Sequence, residues 1–112
     1  MAAQDFPSRP IRILLSFPPG GGTDAIARPI AQRMAKSLGQ PVIIENRPGA
    51  NGILALDLVA RAAPDGHTLI LSNVGPIAMN PGLYDKLPYD PVKSFTPVTM
   101  VGTAQYVLLV HP

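Results

Sequence analysis

The chain has 112 residues, the length of one domain, and no cysteine, which excludes disulfides, thiol nucleophiles and cysteine-ligated metals. Hydrophobic residues make up 46% and charged residues 14%, with a net charge of +2, so neither a charge-rich disordered chain nor a nucleic-acid-binding surface is indicated. Only two histidines are present, which argues against a multi-histidine metal site.

The first part of the chain predicts a strand followed by a helix. Residues 11–17 form a short apolar run between prolines, which is typical of a buried strand. A helix is predicted from Thr23, its expected N-cap, to Gly39, its expected end. Its apolar face is predicted from residues that recur every four positions, namely Ile26, Ile30, Met34 and Leu38, backed by Ala27, Ala31 and Ala35. Pro29 predicts either an irregular first turn or a kink, because proline removes a helical hydrogen bond.

The same unit then repeats. Residues 42–45 predict a second strand, and residues 53–63 a second helix that Asn51 caps and whose core face carries Leu54, Leu58 and Ala62. Residues 68–72 predict a third strand. Three strands joined by two helical crossovers predict an α/β fold with a parallel, doubly wound sheet.

The pattern is weaker after Pro76. Residues 90–95 predict one capped turn with proline at its first position, and residues 97–101 and 106–111 predict two further extended segments. A doubly wound domain normally closes with another helix over its sheet, and the pattern contains none here. We therefore expect residues 1–112 to form a single partial domain.

The loops that follow the three strands are the expected place for a ligand, because open α/β sheets bind ligands at the carboxyl ends of their strands. These loops are residues 18–24, 46–52 and 72–75. The first has three glycines before a helix N-terminus, which leaves backbone N–H groups open to an anionic oxygen. It matches neither common nucleotide-binding glycine motif, and Asp24 would repel a polyphosphate. A carboxylate is therefore favoured, with a strand-to-helix turn that binds nothing as the alternative.

Other polar residues carry weaker interpretations. Arg47 either pairs with a ligand carboxylate or is a solvated loop residue, and Asn73 either binds a ligand or forms an Asx turn. His67 is interpreted as a residue at the edge of a turn. The sequence contains no nucleophile elbow and no paired carboxylates on one element, so no catalytic constellation is predicted.

Seven short segments occur along the chain in a characteristic order. They are FPSRPIRI (6–13), FPPGGGTD (17–24), LGQPV (38–42), ENRPGA (45–50), AAPDGHTL (62–69), LPYDP (87–91) and VLLVHP (107–112). In this order they resemble the Bug-type periplasmic solute receptors, which are the extracytoplasmic receptors of tripartite tricarboxylate transporters. The resemblance covers essentially the whole chain but only about the first third of a family member.

The resemblance implies a periplasmic type-II-like binding fold whose two lobes close on a small carboxylate. This chain would be the first segment of lobe 1 and would end at the crossover to lobe 2. The family's ligand site falls here on two loops, at Phe17, Pro19, Gly20, Gly21, Gly22, Thr23, Asp24, Ser72, Asn73 and Gly75. The resemblance also implies membrane transporter subunits as partners, with no cofactor, metal or nucleic acid. The location would be periplasmic after signal-peptide removal. Residues 2–4 resemble what signal peptidase leaves, and a plain cytoplasmic start is the alternative interpretation of these residues.

Two positions depart from the family pattern, namely Ser16, where proline is common, and Pro29, where a helix former is usual. The favoured function is a carboxylate-binding transport receptor rather than an enzyme. The alternatives are a phosphate- or nucleotide-binding fragment of an α/β enzyme and a dissected folding unit without ligand affinity. Because charged residues are few and part of the sheet would be uncovered, we also expect this chain to self-associate.

Overall fold

The computed structural model describes residues 5–112, so the residues interpreted as a signal-peptidase remnant lie outside the described part. The fold is built on a parallel three-stranded sheet, in which β1 (Ile11–Leu15) lies between β2 (Val42–Asn46) and β3 (Thr68–Leu71). The predicted α/β class with a parallel sheet is confirmed.

The central strand β1 is buried on both faces. Ile11, Leu14 and Leu15 are almost completely buried, although neighbouring side chains in a strand point to opposite faces. A strand that is covered on both faces needs apolar residues at consecutive positions, which explains why this segment reads as a continuous apolar run.

Helix α1 (Gly22–Leu38) covers one face of the sheet with its alanines. Ala27 is buried with Ile13 and Leu15 in the main core cluster, and Met34 packs against this cluster. The predicted apolar stripe is wrong at its start, because Ile26 is half exposed. Small side chains allow a helix to approach a sheet closely, so the alanine row takes the inner position.

The helix continues through Pro29 without a break from Gly22 to Leu38. Its end is as predicted. Gly39 adopts a left-handed φ of 72°, and its amide donates to the carbonyl of Ala35 at 3.0 Å. This is the usual way in which glycine terminates a helix.

Helix α2 (Ile53–Ala60) lies on the opposite face and follows a 3₁₀ turn (Ala50–Gly52). The inner residues are Ala55 and Leu56, whereas the predicted core residue Leu54 is about half exposed. The predicted face was wrong because this helix is apolar nearly all round, so periodicity cannot select a side. The helix also ends three residues before the predicted position 63.

The chain after β3 contains more helix than the sequence predicted. A π-helical turn (Gly75–Met79) continues directly into the short helix α3 (Asn80–Leu83). The predicted capped turn after Asp90 is confirmed, because the Asp90 carboxylate accepts from the amides of Val92 and Lys93 at 2.8 and 2.9 Å. The amide of Lys93, followed by that of Val92, holds the pKa of Asp90 below its ordinary value.

The two extended segments predicted near the C-terminus do not form strands. Residues 95–112 have no regular secondary structure, and Leu108 and Leu109 are 92% and 85% exposed. A strand forms only where its backbone groups pair with a neighbour, and an apolar run does not supply that neighbour by itself. In residues 5–112, no helix has the length and apolarity needed to cross a membrane.

The fold requires glycine at position 52 more strictly than at position 39. A Cβ at Gly52 would lie 2.4 Å from Pro76 Cγ and 3.0 Å from Ser16 Cβ, whereas a Cβ at Gly39 would meet nothing within 4 Å. Both glycines have a positive φ. We expect Gly39→Ala to lower the free energy of unfolding by about 1 kcal/mol through backbone strain alone. Gly52→Ala should lower it by about 3 kcal/mol, because a collision is added.

Urea unfolding of both variants measures this difference. Gly39→Ala is the matched control, since it carries the same substitution at a similar φ in open space. Equal losses for the two variants would show that Gly52 does not act as the contact point between the 3₁₀ turn and the segment after β3.

Candidate functional site

The three loops predicted to hold a ligand begin side by side at one edge of the sheet. Leu15, the last residue of β1, is in register with Asn46 of β2 and Leu71 of β3. The next residues on β1 and β3 also meet, because the hydroxyl oxygens of Ser16 and Ser72 are 3.3 Å apart. The parallel order therefore places all three loops where the sequence predicted them.

The glycine loop after β1 is open on its outer side. Gly20 has a φ of 88°, which favours glycine, but Gly21 and Gly22 do not have a positive φ. A Cβ at Gly22 would meet no atom within 4 Å, and a Cβ at Gly21 would come no closer than 3.7 Å to the Pro18 carbonyl oxygen. Packing within residues 5–112 therefore does not explain glycine at positions 21 and 22.

Helix α1 begins without a side-chain cap. Gly21 is the N-cap, and the predicted cap Thr23 is already inside the first turn because the helix starts at Gly22. The first amides of a helix have no partner within the helix. Among the described residues, no other group accepts a hydrogen bond from the amides of Gly22 and Thr23. Both amides therefore remain available as donors.

Asp24 faces inward and is 6% exposed. Its carboxylate accepts two hydrogen bonds from Arg28, both at 2.9 Å, and one from the Gly20 amide at 3.2 Å. These donors, Arg28 before Gly20, hold the pKa of Asp24 at about 2, well below its ordinary value. The carboxylate is therefore ionised and satisfied within the loop, and the Arg28 charge offsets the repulsion that Asp24 would exert on an anion.

Asn46 is a site residue that the sequence analysis missed. Its side-chain amide donates to the Phe17 carbonyl at 3.1 Å and to Asp24 Oδ1 at 3.2 Å. Asn46, the last residue of β2, thus restrains the glycine loop at both of its ends. The sequence signal was present, because the polar Asn46 ends an apolar strand that runs parallel to β1, but the residue was read only as part of a turn.

In the loop after β3, Asn73 forms one of the two alternatives that the sequence left open, and its other side-chain group remains free for the second. Its side-chain oxygen accepts from the Gly75 amide at 3.1 Å, which is the Asx turn given as one alternative. Its side-chain NH₂ has no partner among residues 5–112, and Asn73 is exposed. Asn73 can therefore hold the turn and still donate to a ligand. The half-buried hydroxyl of Ser72 is hydrogen-bonded to Ser16, and it can donate to a ligand when Ser16 is the donor of that bond.

The loop after β2 has an unusual backbone. Gly49, Ala50, Asn51 and Gly52 all have a positive φ, and for the two non-glycine residues this conformation costs roughly 1 kcal/mol each. Asn51 does not cap α2, contrary to the prediction, because its side chain donates instead to Asn80 Oδ1 at 2.7 Å. Arg47 is exposed and lies 3.4 Å from Glu45, so the structure favours its reading as a solvated residue.

A second group that the sequence analysis missed supports these loops from behind. Asn80 and Tyr89 are buried, and the Tyr89 hydroxyl donates to the Pro76 carbonyl at 2.6 Å. In the sequence, Tyr89 stands out only as part of the LPYDP segment. No periodic pattern reveals its contact with Pro76, because the two residues are 13 positions apart, with Pro76 in the π-helical turn and Tyr89 beyond α3.

The candidate site is an open edge rather than an enclosed cavity. Two depressions on the described surface lie elsewhere, one between α3 and the turn at Asp90 and the other between α1 and β2. Within residues 5–112, no three histidine, aspartate or glutamate residues are grouped so that they could share a metal ion.

Comparison with known proteins identifies the family of this chain. The sequence profile of the family described as "Tripartite tricarboxylate transporter family receptor" matches residues 26–112. Protein BugT of Bordetella pertussis is 42% identical over 113 aligned residues, which include 100% of this chain and 35% of BugT. This chain therefore spans about a third of the length of the relatives that it matches.

Solved structures agree with the sequence comparison. The structure of MatC from Rhodopseudomonas palustris with bound malate is similar with a TM-score of 0.79 and 52% identity, over 83% of this chain and 32% of MatC. The periplasmic binding protein BugD gives a TM-score of 0.77 and 40% identity, over 82% of this chain and 30% of BugD. The fold is thus that of a partial domain of these binding proteins.

The matches favour the receptor interpretation over the α/β enzyme given as the alternative, because these relatives are binding proteins and receptors, not enzymes. The chain belongs to the tripartite tricarboxylate transporter receptor family.

Proposed function

We propose that this chain is the ligand-capturing first segment of an extracytoplasmic receptor, which binds a small carboxylate for a tripartite tricarboxylate-type transporter. The observation that carries the proposal is the group of unused donors at the carboxyl edge of the sheet. They are the amides of Gly22 and Thr23 and the Asn73 NH₂. The Ser72 hydroxyl joins them when Ser16 donates the hydrogen bond between the two serines. A carboxylate has two acceptor oxygens, so it satisfies such a group better than a neutral solute does.

The helix N-terminus supports the same ligand class. The amides at the start of α1 carry roughly half of a positive elementary charge, which attracts an anion without a positively charged side chain. Phe17, Pro19 and Gly20 belong to the same loop, and in this proposal they would line the approach to these amides. Gly21 and Gly22 keep it open, since a side chain at either position would stand in the space that the ligand oxygen would occupy.

Asp24 contributes to the site by holding the loop. Its carboxylate accepts hydrogen bonds from the Gly20 amide and the Arg28 guanidinium. The Asn46 side chain donates both to Asp24 and to the Phe17 carbonyl, which follows β1. Because the loop is held by its own hydrogen bonds, little conformational entropy is lost when a ligand binds.

The domain organisation forms part of the proposal. Residues 5–112 would supply one wall of a cleft, namely lobe 1, and a second lobe would supply the residues that select the distal part of the ligand. The open shape of the donor group supports this arrangement, since one wall alone does not enclose a solute. Periplasmic location and delivery of the solute to membrane subunits are proposed from the names of the relatives, which include a periplasmic binding protein.

The glycine loop gives the direct test. We expect Gly21→Val in the complete receptor to weaken malate binding at least tenfold in calorimetric titration, because the new side chain would occupy the space next to the Gly22 amide. Folding should be nearly unchanged, since a Cβ at Gly21 would come no closer than 3.7 Å to the Pro18 carbonyl oxygen and φ is not positive there.

Gly102→Val is the matched control, because position 102 is also exposed, also has no positive φ and lies in the irregular C-terminal segment outside the three loops. Titration with phosphate in parallel separates a carboxylate site from a general anion site. Unchanged malate affinity in a folded Gly21→Val receptor would contradict the proposed site.

The Asp24 carboxylate predicts a pH dependence of stability. A carboxylate whose pKa is about 2 in the folded protein stabilises the fold above its ordinary pKa, and this contribution is lost as the pH falls from about 4 towards 2. We therefore expect the difference in free energy of unfolding between wild type and Asp24→Asn to be constant above pH 5 and to shrink between pH 4 and pH 2.

Denaturant unfolding at several pH values measures this difference. Asp57→Asn is the control, because it removes an ion pair with Arg61 that has the same i, i+4 spacing but lies away from the candidate site. A difference for Asp24→Asn that stays constant down to pH 2 would show that the carboxylate is not held in the ionised form.

The exposed apolar surface predicts self-association of the 112-residue chain. Leu108 and Leu109 are almost fully exposed, Leu54 is about half exposed on α2, and neither outer strand of the sheet has a second partner among the described residues. Unpaired strand edges and apolar patches favour pairing with another copy, and a net charge of +2 repels it little. We expect light scattering to detect dimers or larger species at tens of micromolar, with weak or absent malate binding.

Replacing Leu108 and Leu109 by lysine should shift the chain towards the monomer, since charged residues block strand pairing. A stable wild-type monomer that binds malate with the affinity of the complete receptor would contradict this prediction and would define these residues as a self-sufficient binding domain.

A further inference from the structure

Asn80 is a completely buried polar residue at the start of α3, and its side chain is engaged on both sides. Its Oδ1 accepts a hydrogen bond from the side-chain amide of Asn51 at 2.7 Å, and its Nδ2 donates to the Asn51 carbonyl at 3.1 Å. One side chain thus binds both the side chain and the backbone of a residue 29 positions earlier. Two hydrogen bonds fix an orientation, whereas one would allow rotation.

The residue that Asn80 holds lies in the strained part of the loop after β2. Asn51 has a φ of 51°, and both of its neighbours also have a positive φ. A backbone of this kind persists only where the surroundings hold it in place. The two hydrogen bonds between Asn80 and Asn51 supply that restraint, since Asn51 is otherwise exposed.

The same group reaches the loop after β3. Tyr89 donates to the Pro76 carbonyl at 2.6 Å, and its hydroxyl lies 3.5 Å from the Nδ2 atom of Asn80. Gly52 fits against Pro76 so closely that a Cβ there would collide. The segment around Pro76 is therefore held from one side by Tyr89 and from the other by the loop that Asn80 restrains.

The orientation of the Asn51 amide follows from these contacts. Because its NH₂ group donates to Asn80, its Oδ1 atom faces the backbone of Gly75, 3.9 Å from the ideal position of a Cβ there. Gly75 in turn donates to Asn73, whose NH₂ group is one of the unused donors of the candidate site.

We propose that Asn80 is a positioning residue of the ligand site, which sets the position of the loop 49–52 against the loop 72–76 and thereby the position of the Asn73 donor. The proposal rests on the proposed function in one respect, namely that these loops bind a carboxylate. Asn80 itself is buried behind the loops and does not touch the ligand.

The test is Asn80→Asp in the complete receptor, with malate affinity measured from pH 7.5 downwards. The ionised carboxylate still accepts from the Asn51 side chain, but it cannot donate to the Asn51 carbonyl and repels that oxygen. We expect malate affinity to fall at least tenfold at pH 7.5. When the carboxyl group is protonated it donates again, so the ratio of wild-type to variant affinity should return towards one at acidic pH.

The ratio to wild type removes the titration of malate itself from the comparison. If Asn80 only stabilised the fold, its substitution would lower the melting temperature, but the ratio of wild-type to variant malate affinity in the folded state would not depend on pH. Met34→Ala is the control for this, because it removes a side chain that packs on the core beneath α1. We expect it to lower the melting temperature while malate affinity stays within twofold of wild type.

A second variant covers the case in which Asn80→Asp does not fold. Asn51→Gly removes the side chain that Asn80 holds and tolerates the positive φ, and we expect it to weaken malate binding several-fold. Wild-type affinity in Asn51→Gly would overturn the proposal. For a folded Asn80→Asp variant, wild-type affinity at pH 7.5 or a loss that does not depend on pH would also overturn it.

Amide hydrogen exchange without ligand separates this proposal from the proposed function. We expect faster exchange in residues 49–53 and 73–76 of Asn80→Asp or Asn51→Gly than in wild type, with unchanged exchange in β1. If the wild-type receptor binds no carboxylate, the proposed function fails, and the exchange rates still decide whether Asn80 positions the loops. Unchanged exchange in both loops would overturn the positioning role.

Discussion

The pairing of β1 with a strand on each side determines where the candidate site lies. Leu15 ends β1 in register with the ends of both neighbours, and its carbonyl accepts the Arg47 amide at 2.8 Å. All three following loops must therefore begin at one edge of the sheet. Because helix α1 starts at the same edge, the amides of its first turn join the polar groups of the loops, and an anion site becomes possible without a positively charged side chain.

The charges near this edge are balanced before any ligand arrives. Asp24 and Arg28 pair with each other through two hydrogen bonds, so neither presents a full charge to the loops. What remains are neutral donors with partial positive charge, which are the amides at the helix start, a hydroxyl and an amide side chain. Such donors bind an anion through the direction of their hydrogen bonds as well as through their partial charge. They can do so only if the loops hold them in place.

The features that the sequence predicted correctly are those encoded by a few adjacent residues. The strands, the helix end at Gly39 and the turn at Asp90 each follow from local patterns. The core face of α2 could not be predicted, since apolar residues occur nearly all round it. On α1 the pattern placed the larger isoleucines ahead of the alanines, whereas Ala27 and Ala31 take the inner positions. Asn46, Asn80 and Tyr89 were missed because their partners are 13 to 29 positions away in sequence.

The missed residues have a common property that explains their place in the fold. Asn46 and Asn80 are both amide side chains that bind backbone carbonyl groups of loops, Phe17 in one case and Asn51 in the other. Loops with several glycines gain freedom to approach a ligand but lose rigidity, because glycine has the largest conformational entropy in the unfolded chain. A side-chain amide offers one donor group and one acceptor, so it can restrain such a loop without adding charge near the ligand. In residues 5–112 the glycine loops leave the candidate site open, and two asparagines, Asn80 buried and Asn46 half-buried, hold the loops in place.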